Sequence, residues 1–279
     1  MAAPATKWNK PNVLKKRALT ALVLMPLTAA AVLWLPTAVL AFVFGLLALA
    51  AGWEWAALSG WRSHRARAVY VIALAMALVG AQGWMLHESG VWAGLILGLG
   101  AWLSALLWLT RPDFRAGRTL KSLVGLLLLG CAWMSVIWMH GLNDRGPLWA
   151  LYLLALIWVA DSGAYFAGRR FGRRKLAPRI SPGKTWEGVY GALVATLVYA
   201  WAVAEWMPVA PVWPFVALSI FAVAISVAGD LFESLLKRQA GVKDSGAALP
   251  GHGGVLDRVD GLLAAAPVFL AGAMIWVLP

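Results

Sequence analysis

Nine runs of apolar residues, near 18–35, 37–58, 68–86, 90–110, 120–139, 147–167, 188–207, 214–236 and 261–278, leave this chain few folds to choose from. Each is long enough to cross roughly 30 Å of hydrocarbon, which takes about 20 helical residues. A backbone in lipid must satisfy its own N–H and C=O groups, so the runs are predicted to be helices and not isolated strands. With 62% hydrophobic and 13% charged residues and a mean hydropathy of +0.75, the 279-residue chain is an integral membrane protein. The fold class that follows is an all-α, polytopic membrane protein of about nine transmembrane helices.

A net charge of +12 invites a nucleic-acid reading, but the charges sit in blocks between apolar spans, so no nucleic-acid partner is expected. Residues 1–17 carry five Lys/Arg, 59–67 three, 111–121 four, 168–187 seven and 232–260 four. All five blocks fall on one side if nine helices alternate, leaving only Arg145 for the other. By the positive-inside rule that side is cytosolic, with the N-terminus in, the C-terminus out and the inner (cytoplasmic) membrane as location. A secretory signal peptide competes for residues 1–31, where Lys15-Lys16-Arg17 precedes an apolar stretch ending in Ala29 to Ala31. Cleavage there would leave the downstream sidedness unchanged. Trp34, Trp53, Trp84, Trp149, Trp206 and Trp213, near the ends of apolar runs, suit an interfacial belt. The lone Cys131 excludes an intrachain disulfide or a cysteine-ligated zinc site.

The longest inside segments, 168–187 and 237–260, are polar and glycine-rich and both lie in the C-terminal half. Residues 1–140 are therefore read as a helical scaffold, and 141–279 as the region where the function is sought. Ionisable groups inside spans are costly and usually face a cavity or a partner. Asp161 is one, about 10 Å inside its helix end, and Asp230 lies at similar depth on the eighth helix. Asp230, Ser234 and Lys237 follow an i, i+4, i+7 spacing that puts a carboxylate, a hydroxyl and an ammonium on one stripe, with Glu233 beside them. The competing reading is an internally neutralised packing stripe.

Asp257 and Asp260, three apart, can grip a divalent cation together with Asp230, while Lys237, Arg238, Lys243 and Arg258 can hold phosphates around it. In 181–188, S-P-G-K-T-W-E-G, the Gly183-Lys184-Thr185 triplet resembles the tail of a P-loop. That motif needs a glycine at 178, where Pro178 stands, and a preceding strand, so a Walker ATPase is rejected. The segment reads either as a phosphate-binding loop using Ser181, Lys184 and Thr185 at a helix N-terminus, or as a capping turn built on Thr185 and Glu187. His252 is either a titrating base or a plain hydrogen-bonding residue, and the glycines around it allow close backbone approach to a ligand.

The string from Ser234 to Asp260 resembles the signature of the phosphatidate cytidylyltransferases (CDP-diacylglycerol synthases) and matches it at every fixed position. The resemblance extends to Asp161-Ser162-Gly163-Ala164-Tyr165 and to 181–188, with Gly183 in a slot where a lysine also occurs. The N-terminal half is similar only in being helical and apolar. The resemblance implies a homodimeric membrane enzyme that condenses CTP with phosphatidic acid, giving CDP-diacylglycerol and pyrophosphate. It implies Mg2+ on Asp230, Asp257 and Asp260, with a second, monovalent cation such as K+ as an option. Ser234 and Lys237 border the lipid phosphate or metal, and 181–188, including Glu187, contributes to nucleotide binding. Asp161, Arg238, Lys243, Asp244, His252, Gly253, Gly254 and Arg258 complete the substrate-binding set. A polyprenol kinase and an ion-coupled transporter are the alternatives. The first would leave only the γ-phosphate on the lipid, and the second would need no CTP.

Overall fold

The computed structural model describes residues 11–277 other than 208, 210 and 249–252, with side-chain environments from residue 22 onward. Among the described residues nine helices follow one another: α1 (Pro11–Trp34), α2 (Thr37–Leu58), α3 (His64–Trp84), α4 (Glu88–Leu109), α5 (Arg118–Gly141), α6 (Gly146–Phe171), α7 (Trp186–Trp206), α8 (Val212–Gln239) and α9 (Leu256–Trp276). Eight of them, α2 to α9, are long and apolar enough to span a membrane, and the described part of α1 adds the shorter apolar stretch Leu22–Trp34.

Several helices overrun their apolar runs at the polar end. Hydropathy marks only the part that lies in hydrocarbon, whereas helical hydrogen bonding continues into the headgroup region. So α6 runs on to Phe171 and α8 to Gln239, and α9 begins at Leu256. The segment 237–260, read from sequence as a loop, therefore ends in helix, with Asp257 and Asp260 on the first turns of α9. The basic segment after α6 is not plain loop either. It folds into an antiparallel hairpin, β1 (Lys175–Ala177) and β2 (Ser181–Thr185), with Lys175 opposite Thr185 and Ala177 opposite Ser181. Strands this short, with Pro182 and Gly183 inside β2 and Pro178 directly after β1, carry no readable alternation.

Between helices in lipid there is little hydrophobic drive, so close packing of small residues and polar cross-links carry the association. α6 and α7 meet on Gly163, Ala167, Gly191 and Ala195, and a Cβ on Gly163 would lie 2.6 Å from the Gly191 carbonyl oxygen. α8 and α9 meet where Gly229 leaves room for Ala264 and the Asp260 carbonyl. α5 is buried along most of its length and touches α2, α3, α4, α6 and α9. Indole N–H groups supply polar cross-links. Trp55 donates to the Lys121 carbonyl (2.9 Å), Trp102 to the Leu263 carbonyl (2.9 Å) and Trp133 to the Ala41 carbonyl (3.0 Å).

Trp34, Trp84, Trp206 and Trp213 are exposed near helix ends, as an interfacial belt requires. Trp149 is not: it packs on Tyr152 and Phe215 inside the bundle, because the first turns of α6 face α8 there.

Gly191→Ala should lower the thermal unfolding temperature of the detergent-solubilised protein, since its Cβ would press on the Gly163 backbone and overpacking costs about 1–3 kcal/mol. Gly80→Ala, where a Cβ meets nothing within 4 Å, should cause no loss in the same melting assay.

Candidate active site at the polar end of α8 and α9

Helical geometry puts Asp230, Glu233 and Lys237 of α8 on the face that meets α9. Phe232, on the opposite side of the same turn, is seated among Trp55, Trp102 and Trp108, with ring centroids 5.4–6.3 Å away. That apolar seat fixes the rotation of α8. The close approach at Gly229 then brings Asp260 of α9 opposite. One carboxylate oxygen each from Asp230, Glu233 and Asp260 lies within 4.8 Å of the others.

Three carboxylates so close repel unless cations balance them. Two lysines do part of this. The Lys184 ammonium, carried on β2, pairs with Asp230 and draws the hairpin onto the cluster. The Lys237 ammonium sits between Glu233 (2.5 Å) and Asp257 (2.6 Å). Glu233 is 2% exposed, and no donor among the described residues makes a hydrogen bond to its Oε1. A buried carboxylate oxygen without a donor is a rare feature that a cation would satisfy. The donor set, hard oxygens only, fits Mg2+.

The third carboxylate of this cluster is thus Glu233, while Asp257 is engaged elsewhere. Its Oδ1 takes the Lys237 ammonium, and its Oδ2 accepts from the Ser245 N–H (3.0 Å), the Ser245 hydroxyl (3.0 Å) and the Gly254 N–H (2.8 Å). Asp257 lies almost one helical turn before Asp260, where the loop amides converge, so the same helix face delivers it to a different set of partners. Glu233 was legible in the sequence as a carboxylate three residues after Asp230, but the aspartate spacing drew the reading away from it.

The remaining candidates divide by what they touch. Ser234 donates weakly to Asp230 (3.4 Å). Thr185 is buried and its hydroxyl accepts from the Gly188 N–H (3.2 Å), which caps α7, with Ser181 at the far end of the same strand. Glu187 accepts from the N–H groups of Arg173 (3.0 Å) and Arg174 (3.2 Å), folding the end of α6 against the start of α7. The 181–188 element therefore does build a capping turn, and its Lys184 reaches the carboxylates. The Arg238 guanidinium donates to the carbonyls of Ile180 (3.2 Å) and Val242 (3.3 Å), tying the hairpin to α8.

Lys243 and Asp244 lie exposed in the turn after α8. Gly253 has φ +84°, and a Cβ there would lie 2.6 Å from Asp257. In this structure the group approaching the Gly253-Gly254 backbone is thus a carboxylate of the protein itself. His252 lies outside the described residues.

Asp161 and Arg258 stand apart from these contacts. With Asp260 they line the polar end of a cavity of about 410 Å3. Its walls are apolar and come from α1, α2, α5, α6 and α9, including Met25, Phe44 and Trp133. One carboxylate, Asp260, therefore belongs to both the acidic cluster and the cavity.

One further carboxylate escaped the sequence reading. Glu54 of α2 is 6% exposed and accepts from the Ser245 hydroxyl (2.8 Å), the Val255 N–H (3.0 Å) and the Leu256 N–H (2.8 Å). The signal was present: a glutamate between Trp53 and Trp55 at the end of an apolar span.

Lys237→Met should strand Glu233 and Asp257 without their counter-ion. Breaking a buried ion pair costs about 3–5 kcal/mol. A clear drop in detergent-state melting temperature is expected, larger than that of Arg238→Met, whose guanidinium bonds to the Ile180 and Val242 carbonyls.

Comparison with known proteins converges on one group. A model of the cytidylyltransferase family matches residues 15–276. A phosphatidate cytidylyltransferase of Pseudomonas aeruginosa is 41% identical over 275 residues, covering 95% of this chain and 97% of that protein. One from Brucella suis is 36% identical over 271 residues, 94% of each chain. One from Haemophilus influenzae is 54% identical over 130 residues, 45% of each chain.

Proposed function

Since this chain belongs to the cytidylyltransferase family, we propose that it transfers the cytidylyl group of CTP to phosphatidic acid, releasing pyrophosphate and forming CDP-diacylglycerol. The observation that carries this reading is the shared position of Asp260. The cluster of hard-oxygen donors suited to a nucleoside triphosphate and the apolar cavity suited to a lipid meet at one residue.

In the transfer, a phosphate oxygen of phosphatidic acid attacks the α-phosphorus of CTP. The new P–O bond forms as the bond to the β-phosphate oxygen breaks, and pyrophosphate departs in line. The lipid phosphate is already an anionic nucleophile near neutral pH, so no strong base is required of the protein. Its work is to bring two polyanions together and hold them in line.

The Asp161–Arg258 end of the cavity receives the lipid headgroup, with Arg258 supplying positive charge and the apolar walls taking the acyl chains. Lys184, paired to Asp230 here, can exchange that carboxylate for a triphosphate oxygen without leaving the cluster. Asp230, Glu233 and Asp260 would hold Mg2+, which supplies charge neutralisation of the triphosphate when bound.

The protein is a multi-pass membrane protein, and the site stands at the end of the bundle that carries the basic segments 59–67, 111–121, 168–187 and 237–243. The positive-inside rule supports a cytosolic face of the inner membrane, where CTP is available. The same reading includes assembly as a homodimer, checked by native mass spectrometry in detergent.

The decisive assay incubates detergent-purified protein with phosphatidic acid, Mg2+ and CTP labelled at either the α or the γ position. Label from the α position should enter the lipid, and chelator should abolish the transfer. Lipid labelled only from the γ position would identify a kinase instead. Asp260→Asn and Glu233→Gln should each lower turnover on the order of 100-fold or more while leaving folded protein, as expected for lost electrostatic stabilisation. Near-normal turnover in both would refute the cluster as the site.

A further inference from the structure

We propose that Glu54, in the N-terminal half of the chain, is a positioning residue for the transfer reaction, holding the start of α9 so that Asp260 faces Asp230 and Glu233. The inference rests on the reading of those carboxylates as the active site.

The first N–H groups of a helix have no partner within it. At α9 the N-cap is Val255, which has no side chain able to cap, and the next residue is Leu256. Both of their N–H groups are taken by Glu54, at 3.0 and 2.8 Å, across more than 200 residues of sequence. A carboxylate at a helix N-terminus is also favoured by the helix dipole. Glu54 is therefore the cap of α9, supplied from α2.

A second contact links it to the site. The Ser245 hydroxyl lies 2.8 Å from Glu54 and 3.0 Å from Asp257, so one hydrogen serves two carboxylates. Asp257 in turn holds the Lys237 ammonium that balances Glu233. A continuous path of hydrogen bonds and ion pairs thus runs from Glu54 through Ser245, Asp257 and Lys237 to the carboxylate cluster.

The local sequence is shaped to admit Glu54. A Cβ on Gly246 or on Gly254 would collide with its carboxylate. Rotation or withdrawal of the first turn of α9 would move Asp260 away from Asp230 and Glu233, because Asp260 lies only four residues beyond Leu256. Among the described residues Glu54 lines neither the cavity nor the cluster and reaches both through Val255, Leu256 and Ser245, so its influence on the reaction passes through the segment it holds.

The test compares the full-length wild type with Glu54→Gln, Ser245→Ala and Asp260→Asn in detergent. Glu54→Gln keeps the shape but turns one acceptor into an NH2 donor facing N–H and O–H groups. Turnover per folded molecule should fall about 10–100-fold, the range typical of residues that orient metal ligands. The Mg2+ concentration for half-maximal rate should rise in parallel. Hydrogen–deuterium exchange should increase at Val255 and Leu256 with the other helices unchanged. Ser245→Ala should show the same pattern more weakly, and it serves as the readout if Glu54→Gln does not accumulate as folded protein. A variant that melts earlier yet keeps turnover and Mg2+ dependence within about twofold of wild type would reduce Glu54 to a structural contact and overturn the proposal. Asp260→Asn separates the two ideas. Its continued activity would sink the site itself, whereas an inactive Asp260→Asn beside a normal Glu54→Gln would sink only the role of Glu54.

Discussion

The Lys237 ammonium lies between Glu233 and Asp257, and the polar end of the bundle depends on the balance it strikes. Asp230, Glu233, Asp257 and Asp260 put four carboxyl groups on two facing helices, where solvent screening is weak and like charges repel strongly. Lys237 joins the two halves of this acidic surface, and Lys184 offsets Asp230 from the hairpin side. Two lysines against four carboxylates leave the cluster short of positive charge on its α8 side, while Arg258 stands with Asp260 on the cavity side. Such a site is suited to acquiring cations along with a polyanionic substrate.

The same end of the molecule solves a problem of phases. A nucleoside triphosphate cannot enter hydrocarbon, and a diacyl lipid does not leave it. The carboxylate cluster and the apolar cavity meet at one residue, Asp260. Its placement follows from Gly229, whose missing side chain lets α9 close on α8. The aromatic seat around Phe232 adds the rotational constraint. The positions of these carboxylates are thus set by packing at the residues next to them in sequence, Gly229 beside Asp230 and Phe232 beside Glu233.

The N-terminal half takes part in this directly. α1 and α2 wall the cavity, and Glu54 of α2 caps α9. The division of the chain into a scaffold half and a catalytic half describes the order of motifs along the sequence. It does not describe the contacts in the structure, where Val255 makes no side-chain cap hydrogen bond and Glu54 of α2 caps α9.

Much of the fold was legible because lipid imposes a simple rule: an apolar run of sufficient length must be a helix. All nine runs form helices over their described residues, and the signature from Ser234 to Asp260 contributes Lys237, Asp257 and Asp260 to the polar end of α8 and α9. What the sequence could not weigh was which carboxylate meets which partner. The motif spacing grouped Asp257 with Asp230 and Asp260 and left Glu233 beside the stripe, whereas the α8–α9 contact puts Glu233 in the cluster and Asp257 on Lys237 and the loop amides. The hairpin was missed because its strands are too short to show a period. Glu54 was missed because its partners are nearly the whole chain away. Hydropathy and local motif are properties of neighbouring residues, and the sequence determined everything that depends on those alone. Pairing across helices depends on where glycines let backbones meet in space, and that only the tertiary structure decided.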